Sequence, residues 1–273
     1  MPDNHSMPAK ILFFGDTVGK PGRLVLLKAV PELREKYDPD FVIVNVENIA
    51  HGKGVTANAL NELASLDIDV YTSGNHAFDK AEFSKRAFEI TPNLIRPANY
   101  IGDFPGKGFV RAEKNGHNLL VMNLNATVFF EKQFPGQISS PFQAFDEIFS
   151  AQKKAGEIVF VDFHSEATSE KRAFGFYADG RASMVCGTHT HVATADWQIL
   201  PKGEAFVSDA GMCGALNSVL GVPIQNSLEI FLGGKFSFEV EESNPIMVNA
   251  LYAEIGADGR ALKVEKIYKE YIL

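Results

Sequence analysis

The chain has 273 residues, 45% of them hydrophobic and 22% charged, with a formal net charge of −8. That is enough apolar bulk for one large core, and the acidic balance argues against a long phosphate-tracking groove for duplex nucleic acid, though not against a small anion held through cations. No apolar stretch approaches the ~18 residues of a membrane span, and residues 1–7 lack the basic and apolar regions of a signal peptide, so a cytoplasmic protein without a membrane partner is expected.

Residues 1–9 read as a loose extension, which leaves one domain over 10–273 because no linker or charge run divides the chain. Residues 10–14 read as a strand and 22–37 as a helix with Leu24, Leu27, Val30 and Leu33 on one side; Pro31 should kink or shorten it. Residues 41–46 form a strand too apolar to alternate, as expected for one covered on both faces. A helix over 56–66, a strand over 70–73 and a helix over 79–90 follow, the last opened by Asp79 and Glu82 as a capping-box pair.

Strands over 110–113 and 119–123 flank Asn115-Gly116, a strong hairpin turn. Ser140 caps, and Pro141 opens, a helix running to about residue 154. Residues 158–163 and 184–186 are strands around a helix near 168–177. Of the two cysteines, Cys186 and Cys213, which make no disulfide framework, Cys186 is expected as a small buried apolar residue. The last third reads as strand and turn: 198–200 and 205–208, then 229–232, 236–240, and a hairpin across Ala257-Asp258-Gly259. Mixed strands with helices in both halves predict two packed sheets covered outside by helices.

Several of these strands end alike. Asp16 follows the apolar run 11–15, Glu47-Asn48 follows 41–46, and Asn75-His76 follows 70–74. His164 follows 158–163, and His189-Thr190-His191 follows 184–188. Strands aligned in one sheet would bring these ends to a single edge, where carboxylate, amide and imidazole groups suit divalent cations. Singly, Gly15-Asp16 is a weak signal, since Asp16 reads as a turn residue; Gly74-Asn75-His76 is better, and Gly187-Thr188-His189-Thr190-His191 is the strongest local motif, although alone it also reads as a surface histidine pair. What favours a metal site is their recurrence in one structural context.

Taken in order, Phe14-Gly15-Asp16-Thr17-Val18-Gly19, Val46-Glu47-Asn48, Thr72-Ser73-Gly74-Asn75-His76, Arg96-Pro97-Ala98-Asn99-Tyr100 and Thr188-His189-Thr190-His191 resemble the calcineurin-like metallophosphoesterases, and more closely the bacterial YmdB family. The superfamily's usual Asp-x-His has Val18 at its third position here, and Glu47-Asn48 replaces the usual second-motif Asp; the YmdB family shows the same two changes.

The resemblance implies an α/β fold, a four-layer αββα sandwich of two mixed sheets flanked by helices. It also implies a centre of two divalent or transition metal ions (Fe, Mn or Zn), and phosphodiesterase activity that includes 2′,3′-cyclic nucleotides. By the same match Asp16, Glu47, Asn48 and His191 hold one metal, and Glu47, Asn75, His164 and His189 hold the other, with Glu47 bridging. Asn48 either binds metal directly or supports a ligand from outside. A metal-held hydroxide is expected to attack phosphorus, with His76 giving a proton to the departing ribose oxygen. A small nucleotide is the expected partner, and long nucleic acid is not.

Other features stay open at this point. His51-Gly52-Lys53-Gly54 is either a phosphate cradle or a polar turn. Asp162 or Glu166 orients His164, although Glu166 is more simply the start of a polar segment. Trp197 is expected in the core rather than on a base, and Phe129, Phe130 and Phe134 either line the cleft or anchor their loop. His5 and His117 are expected in solvent. Apolar runs in the last third either build a homo-oligomer interface or complete the second sheet. The functional alternatives are a phosphomonoesterase and a metal- and nucleotide-binding regulatory protein with little turnover.

Overall fold

The structure is a computed structural model, which describes residues 7–235 and 237–272. In chain order its elements are β1 (Ala9–Phe14), β2 (Asp16–Thr17), α1 (Gly19–Tyr37), β3 (Phe41–Asn45), α2 (Ala57–Asn61), β4 (Val70–Thr72) and α3 (Glu82–Ile90). Next come β5 (Phe109–Lys114), β6 (His117–Asn125), α4 (Phe130–Gln133), α5 (Pro141–Gln152), β7 (Ile158–His164), α6 (Thr168–Ala178) and β8 (Met184–Thr188). The chain ends with β9 (Gln198–Ile199), β10 (Ala205–Val207), β11 (Met212–Ala215), α7 (Ile224–Phe231), β12 (Ile246–Ile255) and β13 (Ala261–Tyr271).

One sheet has the order β2-β11-β12-β1-β3-β4, with β13 paired to β12; the other runs β5-β6-β7-β8-β10-β9. Strands β1, β3 and β4 are parallel, as are β6, β7, β8 and β10. Alternate residues explain why these strands lack a polar face. Leu12, Phe14, Val42 and Val44 pack with Val25, Leu26 and Val30 of α1. Ile11, Phe13, Phe41 and Ile43 share a core with Val121, Phe160 and Cys186 of the opposite sheet. Val159, Val161 and Phe163 pack with Phe145 of α5 and Phe174 of α6. Three cores between four layers make the αββα sandwich.

The inward rows change character towards the C-terminal end of each strand. Phe41 and Ile43 give way to Asn45, Leu119 and Val121 to Asn123 and Asn125, and Ile158 and Phe160 to Asp162 and His164, all buried. Period-two geometry keeps each set on one face. The apolar half joins the sheets, and the polar half floors the site.

Several local expectations are corrected. The strand ends meet from two facing sheets, not along the edge of one. Helix α1 continues through Pro31, because the buried face around Val25, Ala29, Val30 and Leu33 outweighs one missing hydrogen bond. The 56–66 helix divides into α2, capped by Thr56 Oγ1 accepting from Ala59 N at 3.3 Å, and a 3₁₀ turn over Ala64–Leu66. The 229–232 run is the end of α7, opened by Pro223, because Ile224, Leu228 and Phe231 follow helical spacing. Residues 237–240 carry no regular structure, and Phe236 lies outside the described residues, as does His5. Neither 229–232 nor 237–240 therefore extends the second sheet.

His117 is half-buried, with Nε2 4.0 Å from Asp40 Oδ2. Trp197 is 41% exposed rather than in the core. Among the described residues no helix is long and apolar enough to cross a membrane.

Candidate metal centre

Asp16 ends the β1–β2 corner, Glu47-Asn48 follow β3, Asn75 follows β4, His164 closes β7, and His189 and His191 follow β8. The structure brings all of them together. Ligand atoms of Glu47, His164 and His189 lie within 4.8 Å of one another, and so do those of Asp16, Glu47 and His191. Glu47 belongs to both groups. Asn75 joins the first, its Oδ1 2.8 Å from His164 Nε2.

Hydrogen bonds outside the cluster fix which imidazole nitrogens carry lone pairs. Thr188 Oγ1 donates to Asp162 Oδ1 at 2.7 Å, so it accepts from His164 Nδ1 at 2.9 Å. His164 Nε2 faces Glu47 Oε2 at 2.9 Å and His189 Nδ1 at 3.1 Å. Burial would lower the His164 pKa, but the charge and hydrogen bond of Glu47 raise it overall, so a proton is held here that a bound cation would replace, freeing the Nε2 lone pair. Glu166 Oε2 lies 3.1 Å from His189 Nε2 and accepts its N–H, turning the Nδ1 lone pair inward. His191 Nδ1 donates to Leu220 O at 3.0 Å, leaving Nε2 for the cluster. Lone pairs that converge without protons between them repel unless a cation sits among them, and an outward N–H partner is the usual support of a metal-binding histidine.

The donor set fits that cation. Asp16 Oδ1 and Asn48 Oδ1 are buried and have no hydrogen-bond partner among the described residues. Asn48 Nδ2 stands 3.1 Å from Glu47 Oε1 and 2.9 Å from His191 Nε2, and a half-turn of the amide presents Oδ1 there instead. Burial pushes the Asp16 carboxyl up to about 7, a cost that bound positive charge would reverse. Burial also opposes ionisation of Glu47, yet the charge and hydrogen bond of His164 hold its carboxyl below the usual range. Burial and the neighbouring His164 bring His189 down to about 2, which keeps it neutral and able to bind metal.

Backbone geometry serves the same end. His189 has φ 100°, His191 φ 65° and Leu220 φ 56°, conformations that side chains with Cβ seldom adopt. Gly74 passes so close that a Cβ there would lie 2.0 Å from Glu47 Oε2 and 2.4 Å from His164 Nε2. Gly74→Ala is expected to displace both groups and strip metal from otherwise folded protein; metal analysis beside a thermal melt checks this, and full metal content would contradict it.

His76 lies at the rim, with Nδ1 2.7 Å from Asp79 Oδ2. Burial alone would lower its pKa, but the Asp79 hydrogen bond and the charge of Glu47 raise it overall, favouring the imidazolium. Asp79 is therefore not a helix cap: α3 starts after Ala81, with no side-chain cap bond. Sequence reasoning also missed Asp209. Its Oδ2 accepts from Lys171 Nζ at 2.6 Å and from Thr190 N and Oγ1 at 3.0 and 2.8 Å, which braces the turn carrying His189 and His191. The signal was available, since Asp209 follows the 205–208 strand run much as Asp16 follows the first. Phe130 is buried edge-on to His189, ring centroids 4.8 Å apart, whereas Phe129 is exposed.

Glu47, Asn48, His76, His189 and His191 open into a cleft of about 300 Å³. A larger cavity of about 1070 Å³ lies at the opposite strand ends, beside Lys10, His117 and Ile158, away from every residue of the cluster.

Residues 12–267 match the YmdB-like protein family. A relative from Bacillus subtilis (strain 168), a 2′,3′-cyclic-nucleotide 2′-phosphodiesterase, is 41% identical over 259 residues, 94% of this chain and 96% of its own. A solved phosphatase from Mycoplasma pneumoniae superposes with a TM-score of 0.88 at 32% identity, covering 97% of this chain and 94% of that one. A solved protein from Thermus thermophilus gives 0.86 at 35% identity over 96% of this chain and 99% of that one.

Proposed function

The chain belongs to the YmdB-like family and is a hydrolase of the metallophosphoesterase type, and from that premise we propose that it cleaves small phosphodiesters, 2′,3′-cyclic nucleotides among them, at a dinuclear metal centre. Asp16, Glu47, Asn48 and His191 would hold one ion, and Glu47, Asn75, His164 and His189 the other. Carboxylate, amide and imidazole donors suit Fe, Mn or Zn. Two such ions supply positive charge to the phosphate and lower the pKa of water.

The remaining work falls to the chain's own groups. His76 lines the cleft with Nδ1 tied to Asp79, which leaves Nε2 to give a proton to the departing ribose oxygen. Glu166, Thr188 and the Leu220 carbonyl hold the three imidazoles in the tautomers that metal binding needs.

The observation that carries this reading is Glu47, a carboxylate shared by two clusters whose other members present lone pairs. A phosphomonoesterase would hold about two negative charges on its substrate. Among the described residues lining the cleft, Lys53 is the single lysine or arginine, which favours a singly charged diester.

Long incubation of metal-loaded protein with 2′,3′-cyclic AMP is expected to accumulate adenosine monophosphate and stop there. Adenosine with inorganic phosphate would support the phosphomonoesterase instead. No cleavage with Mn, Fe or Zn supplied would support a nucleotide-binding regulatory protein.

A further inference from the structure

The loop that follows Asn48 borders the cleft through Gly52 and Lys53. Ala50 N donates to Gly54 O at 3.0 Å and Lys53 N to Ala50 O at 3.3 Å, so the loop closes as a turn and the Lys53 amide is spent inside it. The charged group that the loop offers the cleft is the Lys53 ammonium. That ammonium has no carboxylate within ion-pair distance among the described residues; it sits over the Phe238 ring, 4.6 Å from the centroid.

Phe238 is 37% exposed, and it too lines the cleft. Its position is fixed from behind. A Cβ on Gly52 would lie 2.9 Å from Phe238 Cζ and 2.7 Å from Val240 Cγ2, and Glu241 N donates to Gly221 O at 2.8 Å. Val18, Leu220 and Val222 complete an apolar wall. The cleft therefore has an ionic floor and a flat apolar side, joined by one lysine cation. Its 300 Å³ sits at the lower end of the ~300–1,000 Å³ of small-molecule sites, a size for a mononucleotide rather than a polymer.

Resting on the phosphodiesterase reading above, we propose that Lys53 and Phe238 recognise the two ends of a nucleotide, Lys53 Nζ holding the phosphate and the Phe238 ring stacking on the base. In the free protein the ammonium covers the ring. When substrate enters, the ammonium moves onto the anion and the base takes its place, so both ends of the ligand are recognised together. Aromatic rings accept any base in this way, so selectivity among bases is expected to be modest.

Both side chains reach solvent, so Lys53→Gln and Phe238→Leu are expected to fold, with thermal melting matched to the parent. Binding of adenosine 3′-monophosphate and of inorganic phosphate to the metal-loaded proteins is read by calorimetry, beside steady-state kinetics on 2′,3′-cyclic AMP. Phe238→Leu is expected to weaken the nucleotide about tenfold, leave inorganic phosphate as in the parent, and raise KM more than it lowers kcat. Phe238→Tyr restores the nucleotide. Lys53→Gln is expected to weaken both ligands about tenfold, and Lys53→Arg to recover them. A parent protein that hydrolyses the cyclic nucleotide while Lys53→Gln and Phe238→Leu bind and turn over like it overturns the recognition pair alone. A parent that binds adenosine 3′-monophosphate but hydrolyses no diester overturns the phosphodiesterase reading, and selective binding losses in the variants would still support the pair.

Discussion

Glu47→Gln is expected to remove both metal ions and with them all turnover. The two carboxylate oxygens face different clusters: Oε2 is 2.9 Å from His164 Nε2, and Oε1 is 3.1 Å from the Asn48 amide beside His191. Glutamine removes the negative charge and puts N–H protons where one cluster presents a lone pair. The loss in metal affinity should exceed the ~10–100-fold that outer hydrogen-bond partners of a metal site are worth. Metal analysis of the purified variant, beside its rate on 2′,3′-cyclic AMP, decides the matter. Two tightly held metals with full turnover would show the ligand assignment to be wrong at its centre.

His76→Ala should behave in the opposite way, keeping near-normal metal content while turnover falls by about 10²–10⁴. The reason is positional. Asn75 Oδ1 points at His164 Nε2 within the cluster, whereas the neighbouring imidazole turns to the rim and to Asp79. A variant that loses a metal would move His76 into the ligand set. One that keeps the parent rate would remove it from the mechanism.

Much of the site was legible because its residues share a context. Asp16, Glu47, Asn75, His164 and His189 each stand at or just after the end of a short apolar run, and parallel strands put such ends on one side. That two sheets contribute is less legible. The change from Phe41 and Ile43 to Asn45 on one face of β3 was present, but an all-apolar strand with both faces buried hides its alternation.

Asp79 was misread for a different reason. Asp three residues before Glu is a capping pattern, and only the fold shows that this carboxylate meets His76 while α3 begins later. Glu166 could not be paired with His189 from sequence, because nothing local links the loop after β7 to the turn after β8. The final helix, α7, was read as strand from a short apolar window in which the two periods cannot be told apart.

If two metal ions held by this cluster drive hydrolysis, activity must follow their occupancy. The protein is stripped with a chelator, Mn²⁺ is returned in steps, and bound metal and 2′,3′-cyclic AMP hydrolysis are followed in the same sample. Stripped protein is expected to be inactive, and full activity to be reached at two ions per chain. Hydrolysis that survives complete stripping, or that never appears after two ions of Mn²⁺, Fe²⁺ or Zn²⁺ are bound, would contradict the dinuclear mechanism.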